Sequence, residues 1–150
     1  MKRILILLVL LAPALHAQTI SPIISEYGRN AKGSFTVTNR SVQPMVVTVS
    51  INSFDLDPSN GKSIYRPLDS STRVSLSEMS ARVGPKQQHQ FFYRVQCETL
   101  PCQVVFFAGM IVGRTPDGVG VRIVLPHVVY TCESQKNCRA RIRRASGLAD

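Results

Sequence analysis

Apolar and polar residues alternate with a period of two along much of the chain after residue 18. In residues 45–54, Val47, Val49 and Ile51 alternate with Thr48 and Ser50, which is the pattern of a strand with one buried face. Similar runs, rich in β-branched and aromatic residues, are separated by Gly, Pro, Asn and Asp. No segment shows a competing helical period. The pattern therefore predicts an all-β fold.

The positions of these runs predict the architecture. The expected strands cover residues 20–26, 33–39, 45–54, 88–96, 103–113 and 119–131, with a weaker pair at 73–77 and 80–83. Turns are expected at 39–44, 84–86 and 115–118. Residues 55–61 superficially resemble a calcium loop, but the glycine falls one position late and the closing glutamate is missing, so a turn-rich loop is favoured. About seven strands in this order predict an immunoglobulin-like β-sandwich.

The first 17 residues have a different character. Lys2 and Arg3 precede the apolar residues 4–11, a run shorter than the roughly 20 residues that span a bilayer. Small residues at Ala14 and Ala17 permit cleavage after either position, which is typical of a secretory signal. We therefore expect a signal peptide at residues 1–17, one domain at 18–131 and a Cys-containing, Arg-rich tail at 132–150. No later apolar stretch is long enough for a transmembrane segment.

Positive charge is concentrated in the predicted tail. The net charge is +9, the signal peptide accounts for Lys2 and Arg3, and four arginines fall within residues 139–144. Such a tail could bind nucleic acid, anionic lipid or an acidic partner, although a solvated basic end is the simpler interpretation. Export makes nucleic acid the least favoured partner, and we expect none.

Four cysteines occur as two closely spaced pairs, Cys97 with Cys102 and Cys132 with Cys138. An exported protein is expected to hold them as disulfides. Zinc is disfavoured because neither spacing matches the usual C-x2-C knuckle. The predicted strand order puts all four cysteines at one end of the domain. Local pairs are favoured, and cross-pairs such as Cys102 with Cys132 stay open.

The sequence contains no recognisable catalytic constellation. After the signal peptide the histidines are His89 and His127, and neither belongs to a known metal or nucleophile motif. Acidic residues are sparse and scattered, so paired carboxylates for hydrolysis are not indicated. We expect a protein that is not an enzyme and that needs no metal or cofactor.

Three stretches together carry a resemblance to a known family. They are GSFTVTN at residues 33–39, VGPKQQHQF at residues 83–91, and FFAGMIV at residues 106–112 with the last predicted strand after it. In this order they resemble the N-terminal domain of the periplasmic pilus-assembly chaperones, which work with an outer-membrane usher. The likeness covers nearly the whole chain after the predicted signal peptide.

The resemblance implies a role for the last strand. In the family, alternating apolar side chains of this strand fill the open groove of an incomplete pilus subunit, while its backbone pairs with the client's edge. The corresponding client-binding residues here are Val119, Val121, Ile123 and Leu125. The same alternation is equally typical of the inward face of the domain's own last strand, so both interpretations stay open.

The family also holds the client's terminal carboxylate with one basic residue on the first strand and another on the last. Those places fall on Ile23 and His127 here. A histidine is cationic only part of the time near neutral pH, so Arg122 and Arg29 are further candidate anchors if the register is shifted. The family has a second sandwich domain, which leads us to expect a reduced or divergent relative.

These observations favour a periplasmic, chaperone-like binding module that caps or holds pilus or fimbrial subunits with residues 119–125. Its expected partners are pilin-like subunits and an outer-membrane usher, with self-association through an open strand edge as a further expectation. The alternative is a structural immunoglobulin-like domain of the cell envelope that docks on an anionic surface through its basic tail.

Overall fold

Ten β-strands account for most of the residues that the structure describes. The structure is a computed structural model that describes residues 18–57, 59–112, 120–134 and 138. The strands are β1 (Thr19–Ser21), β2 (Ile24–Tyr27), β3 (Asn30–Thr38), β4 (Met45–Leu56), β5 (Ser63–Arg66), β6 (Thr72–Leu76), β7 (Ser80–Val83), β8 (Gln88–Cys97), β9 (Cys102–Val112) and β10 (Val121–Thr131). The all-β prediction is confirmed. The predicted signal peptide, the 115–118 turn and most of the tail lie outside the described residues.

The strands form the two sheets of the predicted immunoglobulin-like sandwich. One sheet has the order β1-β3-β8-β6, and the other has the order β2-β10-β9-β4-β5, with β7 also paired to β4. The strand pairs are antiparallel except for β2, which runs parallel to β10. This topology brings the last predicted strand next to the beginning of the domain.

Aromatic side chains from both sheets join in the core. Phe35 of β3 stacks on Phe91 of β8 with 5.1 Å between ring centroids, and Phe106 of β9 reaches across from the other sheet to 5.7 Å from Phe35. All three are fully buried. Burying one such side chain contributes about 1.5–3 kcal/mol. The period-two pattern of the sequence therefore corresponds to a real inward face on these strands.

The predicted first strand is divided between the two sheets. β1 pairs with β3 in the four-stranded sheet, whereas β2 pairs with β10 in the other. Pro22 lies between them and has no N–H group to continue the ladder of β1. Residues 20–26 are therefore two short strands where the pattern predicted one.

Asn39 connects two of the stretches that carry the family resemblance. This residue is fully buried, and its Nδ2 group donates to the carbonyl oxygens of Val83 at 3.1 Å and Gly84 at 3.0 Å. Its Oδ1 atom accepts from the backbone N–H of Ser41 at 3.0 Å. The turn after β3 is thereby held against the turn before β8, which gives a physical reason for both motifs to occur in one sequence.

The predicted turn-rich loop is shorter than expected and is followed by a strand. β4 continues to Leu56 and forms a hairpin with β5. Asp57 accepts from the N–H and hydroxyl groups of Ser59 at 2.8 and 2.6 Å, and Gly61 adopts a φ of 68°, a conformation that favours glycine. The acidic group therefore organises a tight turn.

The cysteines form the two local disulfides, Cys97–Cys102 and Cys132–Cys138. Cys102 is the register partner of Thr131, the residue that precedes Cys132. All four cysteines therefore lie at one end of the sandwich, as the strand order predicted. The cross-pairs that the sequence left open are not formed.

Candidate functional site

One edge of β10 is paired with another strand along only part of its length. β9 pairs with β10 over its whole length, from Val121 to Thr131, without a bulge. On the opposite side, β2 pairs only with residues 128–131. Among the described residues, no strand pairs with that side of residues 121–127. We call this stretch the free edge, and it is open to another strand.

The hydrogen bonds of β2 identify which backbone groups belong to the free edge. The N–H groups of Val128 and Cys132 donate to carbonyl oxygens of β2 and its preceding loop, Ile23 at 2.7 Å and Tyr27 at 3.2 Å. Successive residues of a strand direct their N–H and C=O groups to alternate sides. Arg122, Val124 and Pro126 therefore face the free edge.

Pro126 limits what the free edge can offer. Arg122 and Val124 each present one donor and one acceptor, whereas Pro126 presents a carbonyl alone because it has no N–H group. The next position on the same side, Val128, is already bonded to Ile23. A strand added here would find two donors and three acceptors. Proline in a strand pattern is itself a signal of an edge position, and sequence reasoning missed it.

The predicted client-binding residues lie on the inward face of β10, with burial that increases along the strand. Val121 is 64% exposed, Ile123 and Leu125 are half-buried against the core, and Val129 is fully buried. Val119 lies outside the described residues. Ile123 and Leu125 contact the domain's own core, as expected of an inward face, and also keep part of their surface uncovered, as expected of residues that bind a client.

The outward face of the same region is also partly apolar. Val124, Val46 and Ile111 are exposed, and they line an open depression of about 650 Å³ on the six-stranded sheet. The guanidinium of Arg122 lies over Gly109, with Nη2 3.6 Å from the place where a Cβ of that glycine would stand. Arg122 is thus directed across the sheet toward β9.

A buried polar cluster secures the point where β2 begins to cover β10. His127 has no exposed surface; its Nδ1 lies 2.7 Å from the carbonyl oxygen of Pro22, and its Nε2 lies 3.0 Å from the hydroxyl of Tyr93. Since a carbonyl oxygen can only accept, Nδ1 carries the proton and Nε2 accepts from Tyr93. The Tyr93 hydroxyl also lies 3.1 Å from that of Tyr27. Gly33, opposite Tyr93, makes room because a Cβ there would overlap the Tyr27 hydroxyl.

Burial determines the charge state of this cluster. It lowers the pKa of His127 below its usual value, although the hydrogen bond to the Pro22 carbonyl opposes the shift. Burial also raises the pKa of the Tyr93 hydroxyl, as does its hydrogen bond with Tyr27. His127 is therefore neutral at neutral pH, with both ring nitrogens engaged inside the domain.

The candidate carboxylate anchors do not come together in space. The burial of His127 counts against a cationic role, and Ile23 exposes an aliphatic side chain. Tyr27 pairs with Thr131, nine residues from Arg122, which is about 30 Å at 3.3 Å per strand residue, and Arg29 follows Tyr27 by two residues. Arg29 and Arg122 are both exposed but stand at opposite ends of β10. The anchor role stays a prediction for each arginine separately.

Two observations concern metal sites and membrane-spanning helices. In residues 18–57, 59–112, 120–134 and 138, no group of three or more His, Cys, Asp or Glu side chains is placed to hold a metal ion. Across the same residues, no helix has the length and apolar character needed to cross a membrane.

Comparison with known proteins gives a likeness of fold. No family model and no curated protein sequence matches the chain. Among solved structures, the class 5 fimbriae chaperone CfaA matches with a TM-score of 0.59 and 10% identity, over 79% of this chain and 57% of that one.

Two further matches are structures of complexes. In the Salmonella enterica complex of the SafA pilin with the SafB chaperone, the match has a TM-score of 0.57 and 12% identity, over 81% of this chain and 56% of that one. In the chaperone–tip adhesion subunit pre-assembly complex CsuC–CsuE of Acinetobacter baumannii, the values are 0.55 and 14%, over 79% and 52%. The chain thus spans about half the length of the chaperones it matches. At such identities the likeness establishes the immunoglobulin-like fold, and function has to be argued from the site.

Proposed function

We propose that this protein is a chaperone-like binding module that holds an incomplete protein client by adding β10 as a strand to the client's sheet. The observation that carries the proposal is the free edge of residues 121–127, which has β9 on one side and no strand among the described residues on the other. An open edge beside apolar side chains is an aggregation hazard, and its retention in a native chain is typical of a binding function.

The free edge supplies both parts of a strand-addition contact. Two donors and three acceptors, from Arg122, Val124 and Pro126, can pair with a client strand, and each such hydrogen bond contributes roughly 0.5–1.5 kcal/mol. Val121, Ile123 and Leu125 keep apolar surface uncovered, which a client's core would bury at about 25 cal/mol per Å². Main-chain pairing gives affinity, and the alternate side chains select a groove of matching shape.

Pilus or fimbrial subunits are the client class that we propose. The likeness to SafB in its complex with a pilin and to the CsuC–CsuE chaperone–adhesin complex supports this choice. The proposal includes action in the periplasm, delivery to an outer-membrane usher and no enzymatic step. Arg122 and Arg29 are the candidate anchors for a client carboxylate that the proposal retains, each on its own.

A backbone substitution tests the proposal most directly. Val124→Pro removes a free-edge N–H group without touching the bonds to β9, and edge strands tolerate proline. The matched control Val124→Ala shortens the same exposed side chain and keeps the N–H group. Each variant is co-expressed with a pilin-like subunit that the unaltered protein holds in solution, and the soluble complex is quantified by size-exclusion chromatography.

We expect Val124→Ala to retain the complex and Val124→Pro to weaken it by about tenfold or more, because a client hydrogen bond is lost and the ring obstructs pairing. Circular dichroism confirms that both variants fold. A folded Val124→Pro variant that binds as well as Val124→Ala would refute strand addition at this edge.

A further inference from the structure

A basic and aromatic surface lies on the outer face of the four-stranded sheet, on the opposite side of the sandwich from the free edge. Lys32 of β3 and Arg94 of β8 are register partners, and Arg73 of β6 pairs with Gln96, two residues from Arg94 on the same face. All three cations are exposed. Phe92, two residues from Arg94 in the other direction, is 57% exposed. We call Lys32, Arg73, Phe92 and Arg94 the basic–aromatic face.

Carboxylates of the described residues do not balance the charges of this face. Among the described residues, Arg66 forms an ion pair with Asp55, and His89 Nε2 lies 2.7 Å from Glu78 Oε1. No described carboxylate lies within ion-pair distance of Lys32, Arg73 or Arg94. Like charges placed directly opposite each other on neighbouring strands destabilise a sheet. The free domain therefore bears a cost that a bound anion would remove.

The shape of the surface indicates how an anion could bind. An open depression of about 540 Å³ lies on this face and is lined by Lys32, Arg94, Phe92 and the serines Ser34 and Ser75. The guanidinium group of Arg94 can hold a carboxylate with two parallel hydrogen bonds, and the ammonium of Lys32 adds a point charge. The exposed ring of Phe92 offers apolar contact beside them.

We propose that the basic–aromatic face binds an extended acidic segment of a partner protein, in which carboxylate and apolar side chains take turns along one face, that is, at every second residue. Phe92 and Arg94 lie two residues apart on one strand face, about 6.6 Å at the usual strand rise. Side chains two residues apart on an extended segment lie on one face with the same spacing, so an apolar side chain contacts Phe92 while the carboxylate two residues away pairs with Arg94. Charge complementarity selects acidic over basic segments.

Other polyanions fit the surface less well. A lipid bilayer is bound by apolar groups that project from the protein, whereas Phe92 lines a depression together with Lys32 and Arg94. Single-stranded nucleic acid is held by several aromatic rings that stack on successive bases. In the described part of this face Phe92 is the one exposed ring.

Fluorescence anisotropy with a labelled peptide tests the proposal on the full chain. The probe is a nine-residue peptide in which glutamate and leucine take turns at every second position with serine between them, and the control peptide has glutamine in place of each glutamate. The variants are Arg94→Gln, Phe92→Ser and the matched control Arg82→Gln, which removes an exposed arginine from β7 in the other sheet. Lys32→Gln replaces Arg94→Gln if the latter does not fold.

We expect Arg94→Gln to weaken binding of the acidic peptide about tenfold, Phe92→Ser to weaken it about fivefold and Arg82→Gln to change it less than about twofold. Binding should fall as salt rises. Val124→Pro should leave it unchanged, which separates this surface from the free edge. The proposal would be overturned if Arg94→Gln and Arg82→Gln weakened binding equally, if the glutamine peptide bound equally well, or if Val124→Pro abolished binding. It would also be overturned if phosphatidylglycerol vesicles or a thymidine oligonucleotide bound more tightly than the acidic peptide and this binding depended on Arg94.

Discussion

His127 illustrates how a single side chain differs from what the family resemblance implies for its position. The resemblance places a cation there, whereas the structure buries a neutral imidazole between the Pro22 carbonyl and the Tyr93 hydroxyl. A buried histidine with both nitrogens satisfied stabilises a particular arrangement of strands, since its loss would leave two polar groups unpaired. In this protein the arrangement is the attachment of β2 to β10.

The lowered pKa of His127 predicts a pH-dependent stability. In the unfolded chain the imidazole has a pKa near 6.5, so below that pH the unfolded state takes up a proton before the folded state does. The free energy of unfolding should therefore be constant above about pH 6.5 and fall below it by up to about 1.4 kcal/mol per pH unit until the folded-state pKa is reached. Urea unfolding between pH 5 and pH 7.5 measures this slope.

The control for this prediction is His127→Gln, which keeps every other titrating group. Its unfolding free energy should be lower at neutral pH and should depend less on pH. If the unfolding free energy depended on pH equally in the unaltered protein and in His127→Gln, other titrating groups would be responsible. An NMR titration of the His127 ring would then be expected to show an ordinary pKa.

Strand β10 has a paired stretch and an unpaired stretch along the same edge. Residues 128–131 are paired on both sides, whereas residues 121–127 have β9 on one side alone among the described strands. Pro126 lies just before the change and removes one donor from the exposed side. Proline at such an edge is a common protection against pairing with unwanted copies.

Pro126→Ala should therefore increase self-association. The substitution adds one donor per copy, so a symmetric pair of free edges gains two hydrogen bonds of roughly 0.5–1.5 kcal/mol each. The dissociation constant of a dimer should fall about fivefold or more, which sedimentation velocity over a concentration series can measure. Pro67→Ala, at an exposed loop position, is the matched control. Equal association of the two variants would show that Pro126 does not protect the edge.

At the scale of the whole molecule, the sequence predicted what depends on local pattern. The strands β4, β8, β9 and β10 follow from period-two alternation, because the pleat imposes that period wherever one face is buried. The division at Pro22 and the parallel pairing of β2 with β10 depend on contacts between distant segments, and the pattern contains no information on them. The half-burial of Ile123 and Leu125 was unpredictable for the same reason, since alternation is identical in strands paired on one side and on both.

The charge distribution of the molecule also yields a prediction. Arg94→Glu would convert the like-charge pair with Lys32 into an opposite-charge pair, which should raise the free energy of unfolding by roughly 0.2–1 kcal/mol. Arg82→Glu changes the net charge equally but lies opposite Val46, and it should have a smaller effect. Thermal unfolding of both variants at low salt provides the comparison. Equal shifts would indicate that overall charge, and not the pair, is responsible.

The two-sided pairing at one end of β10 has a consequence for access by solvent. The disulfide Cys132–Cys138 closes a covalent loop just beyond the strand. Backbone amides of β10 near Thr131 lie between two partner strands, whereas those of Arg122 and Val124 point to a side on which no described strand pairs with them. Amide protons along this one strand should accordingly exchange at rates that differ from end to end. A client that adds its own strand would protect the amides of the free edge, so the exchange rates at the two ends of β10 would become similar.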